Sequence, residues 1–185
     1  MPEFSESLRG KLLLDGGQLK GSFFNRTVVL ICQHNRDGAF GLVLNRKTEN
    51  HVRDVLVADL PEALRRQPLF FGGPVQPGAL SYLHSDALLP NANVIENLSL
   101  GHSLDSLVDL GESFSTSQQL KIFAGYAGWS PGQLEEEIKR NSWLTCPASV
   151  DLVFGSSDEL WRQILVKMGA KYRLLASAPE DLSSN

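Results

Sequence analysis

The sequence predicts an α+β domain with a mixed β-sheet, and three observations support this fold class. The β-branched run at residues 27–33 is followed by Asp37-Gly38, the strongest short hairpin signal, and by a second apolar run at residues 40–44. This hairpin requires antiparallel pairing. Apolar runs at residues 120–126 and 150–154 are predicted strands that precede helical patterns, which permits some parallel pairing. Strands and helices do not alternate regularly, which argues against a doubly wound sheet.

Length and composition fit a single domain. The chain has 185 residues, of which 42% are hydrophobic and 21% are charged, and these values are typical of a globular protein. No internal repeat, low-complexity tract or linker-like shift in composition divides it. We therefore expect one domain over residues 1–185, with residues 176–185 as a loose tail.

Charge and hydropathy predict a cytoplasmic protein. Seventeen Lys and Arg against 21 Asp and Glu give a net charge of −4, so we expect no tight direct nucleic-acid binding. The N-terminus lacks the basic and apolar regions of a secretory signal, and the apolar runs are far shorter than the roughly 20 residues of a membrane span. Cys32 and Cys146 are too few for a disulfide framework.

Weaker patterns predict further elements. Composition favours strands at residues 69–71, 80–84 and 93–100, and apolar spacing favours short helices at residues 51–57 and 103–110.

Two later helices have clearer start signals. Ser130-Pro131-Gly132-Gln133 predicts a helix capped by Ser130, with Leu134 and Ile138 on its apolar face and Glu135 paired with Lys139 at i, i+4. The segment Ser156-Ser157-Asp158-Glu159 repeats the capping pattern. It precedes a predicted helix that ends at Gly169 and whose apolar face consists of Trp161, Ile164, Leu165 and Met168.

Three blocks of the sequence resemble the signatures of the bacterial AlgH/YqgE family. The first contains FNRTVVL at residues 24–30, then His34 and GAFGLVLNR at 38–46; the second is GGPV at 72–75 with Leu83-His84. The third is GYAGWSPGQLE at residues 125–135, with Glu137 and Trp143. The resemblance covers roughly residues 10–170. It implies a single domain with a mixed, partly barrel-like β-sheet flanked by helices, and it implies no established activity, although some members are labelled transcriptional regulators.

The second and third signatures predict a ligand or partner site. The third joins a strand to a helix N-terminus, whose free N–H groups suit anions, and it supplies aromatic surface. The candidate residues are Gly72, Gly73, Pro74, Gly125, Tyr126, Gly128, Trp129, Ser130 and Gln133. The alternative is that Ser130 and Gln133 only cap the helix and that Trp129 only packs in the core.

A candidate polar network consists of Arg26, His34, Asn45 and Arg46. These side chains could clamp a polar ligand, or they could tie strand ends to loops; we favour the structural role. Cys32 and His34, at i and i+2, would share one face of a strand, where His84 or Cys146 could complete a metal shell. Only half of the usual pattern of paired ligands is present, so we predict no metal site and no cofactor.

The sequence contains no recognisable catalytic motif. The four histidines have no nucleophile motif nearby, and the glycine-rich segments lack the spacing and the lysine of a phosphate-binding loop. Our leading hypothesis is a non-enzymatic regulatory or interaction protein that acts through a protein partner or a small ligand. The alternatives are an enzyme with an unrecognised polar site and a transcriptional regulator that contacts DNA directly.

Overall fold

The computed structural model describes residues 6–85, 92–113 and 119–179, which form one mixed sheet with helices packed against it. The strands in these ranges are β1 (Lys11–Asp15), β2 (Val28–Asn35), β3 (Gly38–Val43), β4 (Lys47–His51), β5 (Pro68–Phe71), β6 (Val75–Ser85), β7 (Ser99–Gly101), β8 (Gln119–Trp129) and β9 (Trp143–Pro147). The helices are α1 (Val52–Val55), α2 (Glu62–Arg65), α3 (Leu104–Glu112), α4 (Gln133–Lys139), α5 (Val150–Phe154), α6 (Leu160–Met168) and α7 (Ala170–Ser177). No helix in the described ranges is long and apolar enough to cross a membrane.

The sheet confirms the α+β prediction. Its main order is β4-β5-β8-β3-β2-β1-β9, and β6 pairs with both β7 and β8. The β5–β8 pair is parallel and the other pairs are antiparallel, so the sheet is mixed. It is not closed, because β4 and β9 form the two ends of the main path.

The predicted hairpin is present, and it contains a bulge that the sequence did not reveal. Asn35 pairs with Gly38 across a two-residue turn. Ile31 pairs with Gly41, whereas Gln33 pairs with Phe40, so β2 has one extra residue, Cys32. An extra residue shifts the alternation of side chains by one position.

In strand β8 the alternation of side chains between the two faces of the sheet also changes, and the change is centred on Gly125. In a regular strand Phe123 and Ala127 would share a face, yet Phe123 lies in the cluster on one side of the sheet and Ala127 in a cluster on the other. The cause is the left-handed backbone of Gly125, whose φ is +72°. The first half of β8 pairs with β5 and β6, and its last three residues pair with β3.

The glycines of the second and third signatures pack against each other. A Cβ on Gly125 would lie 2.3 Å from the carbonyl oxygen of Gly73, and a Cβ on Gly72 would lie 2.3 Å from the carbonyl oxygen of Gly125. The Gly72 N–H donates to the carbonyl oxygen of Ala124 (2.8 Å), which fixes the approach. Side chains are excluded here because the two backbones are in direct contact.

Three apolar clusters fill the space between the sheet and the helices. The first lies under α5, α6 and α7 and contains the predicted face of α6, with Trp161, Ile164 and Leu165 buried and Met168 at its margin. The second lies under α4, and the third lies between the sheet and α1 to α3. Each cluster removes apolar area from water, the main favourable contribution to folding.

Two of the predicted strands are wrong. Residues 150–154 form helix α5, because the Ser149 hydroxyl accepts from the Leu152 N–H (3.2 Å) and caps it. A five-residue apolar run does not by itself distinguish a strand from a helix. Residues 93–98 form a loop and only Ser99–Gly101 form a strand, since the Asn93 side chain accepts from the Leu100 N–H (2.7 Å) and donates to its carbonyl (3.0 Å).

The predicted helix caps also differ. The N-cap of α4 is Gly132 rather than Ser130, and Lys139 pairs with Glu136 (2.9 Å) rather than with Glu135. The N-cap of α6 is Glu159, in a left-handed conformation and without a side-chain cap. At the other end of the chain Ala176 is buried in α7, so the predicted loose tail begins inside a helix; residues 180–185 lie outside the described residues.

Replacement of Gly125 by alanine tests the glycine contact. Gly125→Ala should lower the free energy of unfolding by more than about 2 kcal/mol, because the left-handed conformation costs about 1–2 kcal/mol once a Cβ is present and the clash with Gly73 adds to that cost. Gly78→Ala is the matched control, since no atom lies within 4 Å of the added Cβ. Urea denaturation measures both variants, and equal losses would contradict the assignment.

Candidate functional site

Three of the four residues of the candidate polar network lie together. Arg26, Asn45 and Arg46 line a polar cavity of about 230 Å³. The other wall is the start of α6 and the loop before it, comprising Ser157, Asp158, Glu159, Leu160, Trp161 and Arg162. We call this space the arginine cavity. The fourth residue, His34, lies near the opposite end of β2 and faces a different cavity.

Two side chains hold the backbone of Arg26 in an unusual conformation. Its φ is +54°, in the left-handed region that residues other than glycine seldom adopt. The Arg26 N–H donates to Asp15 Oδ2 (2.7 Å), and the Arg26 carbonyl accepts from Asn45 Nδ2 (2.9 Å). Asn45 is itself fixed, because its Oδ1 accepts from the Val28 N–H (2.9 Å). The position of Arg26 is therefore over-determined by its neighbours.

Asp15 is the buried anchor of this region, with only 1% of its surface exposed. Its Oδ1 accepts from the N–H groups of Gly17 (2.8 Å) and Leu19 (3.3 Å). Its backbone carbonyl accepts from the indole N–H of Trp161 (3.0 Å). A buried carboxylate is tolerated when such donors replace its water, so Asp15 connects β1, the loop that follows it and α6.

The guanidinium groups are oriented by the surrounding protein. Arg26 Nη2 donates to the carbonyl oxygen of Ala178 (2.6 Å), and the group lies 5.2 Å from the ring centre of Trp161. Arg46 donates to the backbone carbonyls of Asn25 and Asn45. Arg162, at the cavity wall, forms an ion pair with Glu159 (3.1 Å).

A buried lysine connects the two chain segments that lead into the walls of the arginine cavity. Lys121 Nζ donates to the carbonyl oxygens of Leu44 (3.0 Å) and Val153 (3.1 Å) and lies 4.2 Å from the centre of the Phe70 ring. Leu44 directly precedes Asn45, and Val153 belongs to the helix that leads to the loop at residues 155–159. Burial lowers the pKa of Lys121 to about 8. Lys121 thus connects the end of β3 to helix α5 through two backbone carbonyls.

Three residues of this region were not predicted from the sequence as site residues: Lys121, Trp161 and Arg162. Lys121 offered a signal, since it is the one charged residue in the apolar strand β8. Trp161 was correctly assigned to the apolar face of its helix. Its indole N–H also donates to the backbone carbonyl of Asp15, the residue whose side chain holds the backbone of Arg26.

The residues of the third signature are divided between the two faces of the sheet. Trp129 points to the side of α4, where its indole N–H donates to Glu137 Oε2 (2.9 Å). The indole N–H of Trp143 donates to the same oxygen (2.8 Å), and Gln133 Nε2 donates to Glu137 Oε1 (3.0 Å). The Ser130 N–H donates to Gln133 Oε1 (3.0 Å), which satisfies the turn before α4. These polar groups therefore form hydrogen bonds with one another.

Tyr126 lies on the opposite face, where it stacks on Phe40 with ring centres 4.8 Å apart. Gly128 and Pro74 are exposed at this surface, and Gly72 and Gly73 contact the backbone at Gly125 and Tyr126. The structure therefore brings the second signature to the third, as the hypothesis required, but it separates Trp129, Ser130 and Gln133 from Tyr126.

His34 is part of a buried pair, with 1% of its side chain exposed. The Leu8 N–H donates to Nδ1 (2.9 Å), so the ring proton is on Nε2, which donates to Glu135 Oε1 (2.9 Å). This contact explains why Glu135 does not pair with Lys139. His34 borders a cavity of about 490 Å³ lined by Ser7, Arg9, Cys32, Gln33, His34, Asn35, Asn93 and Leu100.

The structure corrects the interpretation that Cys32 and His34 share one face. Because of the bulge at Cys32, its thiol packs in the cluster with Leu30, whereas His34 pairs with Ala39 and points towards α4. Burial raises the pKa of the Cys32 thiol, so it remains protonated at neutral pH. Within the described ranges, no group of three or more His, Cys, Asp or Glu side chains could hold a metal ion.

Ser81 and His102 form a contact of the kind that a serine nucleophile makes with its general base. Ser81 Oγ lies 3.0 Å from His102 Nδ1, and the His102 ring packs edge-on against Phe40. Ser81 is 3% exposed and lies within β6, so its hydroxyl is closed to a substrate. This geometry does not provide the accessible nucleophile that acyl transfer needs.

Comparison with known proteins places the chain in a family. The model of the AlgH-like family (DUF179) matches residues 12–173, most of the chain. The chain belongs to the AlgH-like family. A "UPF0301 protein" of Chlorobium luteolum is 36% identical over 185 residues, with 96% of this chain and 95% of that protein covered. A relative from Chlamydia pneumoniae is 32% identical over 180 residues, with the same coverage of each chain.

Two solved structures share the fold of this family member. The solution structure of the AlgH protein from Pseudomonas aeruginosa superposes with a TM-score of 0.74 at 28% identity, covering 97% of this chain and 98% of that one. A crystal structure from Corynebacterium diphtheriae gives a TM-score of 0.75 at 24% identity, covering 96% and 95% respectively. The names of these proteins state no ligand and no reaction.

The buried charge of Lys121 gives the stability a specific pH dependence. Its pKa is about 8 in the folded protein and lies near 10.4 in an unfolded chain. Between these values the unfolded state binds more protons, so the free energy of unfolding rises with pH. Lys121 contributes an increase of up to about 3 kcal/mol between pH 8 and 10.5.

Lys121→Met removes this contribution while keeping an apolar side chain of similar length. The difference in unfolding free energy between wild type and variant should shift in favour of wild type by about 2 kcal/mol or more from pH 7.5 to pH 10. Groups common to both proteins cancel in this difference, which urea denaturation measures. A difference that does not change with pH would contradict the assignment.

Proposed function

We propose that this AlgH-like protein is a non-enzymatic regulatory or interaction protein of the cytoplasm that recognises an anionic group in the arginine cavity. The group is a carboxylate or a phosphate carried by a small ligand or a protein partner. The observation that carries the proposal is the backbone of Arg26, which two other side chains hold in a left-handed conformation at the cavity wall.

Strained backbone conformations persist only where surrounding structure maintains them. A left-handed residue with a Cβ costs about 1–2 kcal/mol, and here a buried carboxylate and a half-buried amide are both used to hold it. Such positions cluster at ligand clamps, where fixing the group in advance lowers the entropy lost on binding. This supports a binding role for Arg26 over a purely structural one.

The charge and size of the cavity fit an anionic group. Arg26, Arg46 and Arg162 line it, in a chain whose net charge is −4. The planar guanidinium matches carboxylate and phosphate oxygens in pairs. Asp158 and Glu159 lie on the α6 side, and Glu159 is paired with Arg162. A volume of about 230 Å³ suits one such group better than a whole drug-sized ligand, which needs about 300–1,000 Å³.

The other polar residues of the signatures support a non-enzymatic role. Glu137, His34 and Asn45 each contact protein groups that use their hydrogen-bonding atoms. The Ser81–His102 contact has a buried hydroxyl. We further propose that any regulatory effect runs through a protein partner rather than through direct DNA contact, because the net charge is acidic.

Titration with simple anions tests the proposal. Inorganic phosphate and citrate should bind saturably in the millimolar range, and Arg46→Gln should weaken binding about tenfold, because a hydrogen bond to a charged group contributes about 1.5–3 kcal/mol. Arg65→Gln is the matched control, since Arg65 is exposed on α2 and loses the same charge. Isothermal titration calorimetry provides the affinities.

Two results would count against the anion site. One is the absence of saturable binding of either anion to the wild-type protein. The other is an equal effect of Arg46→Gln and Arg65→Gln, which would assign the binding to net charge.

A further inference from the structure

The cavity beside His34 is larger than the arginine cavity and has a different lining. Its volume is about 490 Å³, within the range of about 300–1,000 Å³ that is usual for small-molecule sites. It can therefore hold a whole small molecule rather than a single anionic group. We call it the bulge cavity, because the irregular end of β2 forms part of its wall.

The bulge in β2 turns two consecutive side chains towards this cavity. Ile31 lies in the cluster under α4, and His34 donates to Glu135 of α4, so both point to the same face of the sheet. In an unbroken strand, residues three apart would point to opposite faces. The extra residue places both Cys32 and Gln33 on the other face, where they line the cavity.

Some of the polar groups in the lining are used by the protein itself. The Ser7 hydroxyl donates to the His34 carbonyl (3.1 Å) and accepts from the Arg9 N–H (3.3 Å). The side chain of Asn93 forms two hydrogen bonds with the backbone of Leu100. These contacts fix the shape of the wall.

Other polar groups in the lining are available to a ligand. Within the described ranges, the Arg9 guanidinium and the Gln33 amide form no hydrogen bond and no ion pair. Asn35 Oδ1 accepts from the Asp37 N–H (2.8 Å), so the Asn35 side-chain NH₂ is left to donate. None of the described residues that line the cavity is acidic, and Arg9 is basic. The cavity thus offers a charged donor and two amides, which favours an anionic ligand.

Aromatic rings border the cavity on the same face of the sheet. Phe40 is the strand partner of Gln33, and directly opposed residues point to one face. His102 follows the cavity residue Leu100 by two positions, and its ring centre lies 5.6 Å from that of Phe40. Phe40 in turn stacks on Tyr126. A flat apolar group in the cavity would therefore meet Leu100 and the edges of aromatic rings.

We propose that the bulge cavity binds a small ligand in which an aromatic ring carries an anionic group, either a carboxylate or a phosphate. Arg9 pairs with the anionic group, and Gln33 donates to other polar atoms. The ring packs against Leu100 and the Phe40–His102 pair. Aromatic carboxylic acids and nucleoside monophosphates share this chemistry. The site is separate from the arginine cavity and does not depend on the function proposed for it.

Residue-resolved titration of the ¹⁵N-labelled full-length protein tests the proposal. The side-chain amide signals of Gln33 report on the bulge cavity, and the indole N–H signal of Trp161 reports on the arginine cavity. The probes are adenosine monophosphate and 4-hydroxybenzoate, with inorganic phosphate and adenosine as probes that lack the ring or the charge. At Gln33, adenosine monophosphate should bind at least about threefold more tightly than phosphate or adenosine, because ring and anion both contribute.

Arg9→Gln tests the role of the guanidinium group. It should weaken the binding of adenosine monophosphate or 4-hydroxybenzoate at Gln33 about tenfold and leave the affinities read at Trp161 unchanged. The variant should fold normally, since Arg9 is exposed. Arg65→Gln is the control, because it removes the same charge on α2, away from both cavities.

The outcomes separate this inference from the proposed function. Saturation at Gln33 by adenosine monophosphate alone supports a nucleotide ligand, and saturation by 4-hydroxybenzoate alone supports an aromatic acid. Equal affinities for adenosine monophosphate and phosphate, or for adenosine monophosphate and adenosine, overturn the proposal when 4-hydroxybenzoate does not bind. Equal effects of Arg9→Gln and Arg65→Gln overturn it as well. No saturable shift at Gln33, with saturation by phosphate at Trp161, overturns this site and leaves the anion site in the arginine cavity intact.

Discussion

Strand β8 is the element on which the rest of the structure depends, because both parts of the sheet pair with it. Its first half pairs with β5 and β6, and its last residues pair with β3. Gly125 makes this possible, since its left-handed backbone moves the following residues by one position in the alternation of faces. The contact with Gly72 and Gly73 leaves no space for a Cβ on either side. The glycine-rich signatures are thus explained first by packing of backbone against backbone.

The arginine cavity is built on this scaffold by a small number of buried polar groups. Asp15 and Asn45 hold the backbone of Arg26, and Lys121 ties the carbonyls of Leu44 and Val153. Each buried group is costly unless its partners are in place, so together they fix the cavity walls. Under the proposed function, the same arrangement serves anion binding, because guanidinium groups held in advance lose little entropy when they bind a carboxylate or phosphate.

The sequence predicted the elements whose local signals agree with their tertiary contacts. The hairpin at Asp37-Gly38 and the apolar face of α6 are both confirmed. It missed β4, whose residues KTENH are polar and half-exposed at the edge of the sheet, and it assigned α5 to a strand. The bulge at Cys32 and the left-handed backbone at Gly125 had no local signal that we recognised, yet they decide which faces His34 and Trp129 occupy. The cavity was only partly predictable, because Arg26 and Trp161 are far apart in sequence and meet only in the fold.

Native-state hydrogen exchange of the β8 amides tests most directly whether this strand unites the sheet. If it does, the amides that pair with β6 and those that pair with β3 exchange only through global unfolding, with one common free energy equal to that from urea denaturation. Gly125 would then mark a change of face within one cooperative unit. If the residues after Gly125 exchange with a clearly lower free energy than those before it, the two parts of the sheet open independently, and the account is contradicted.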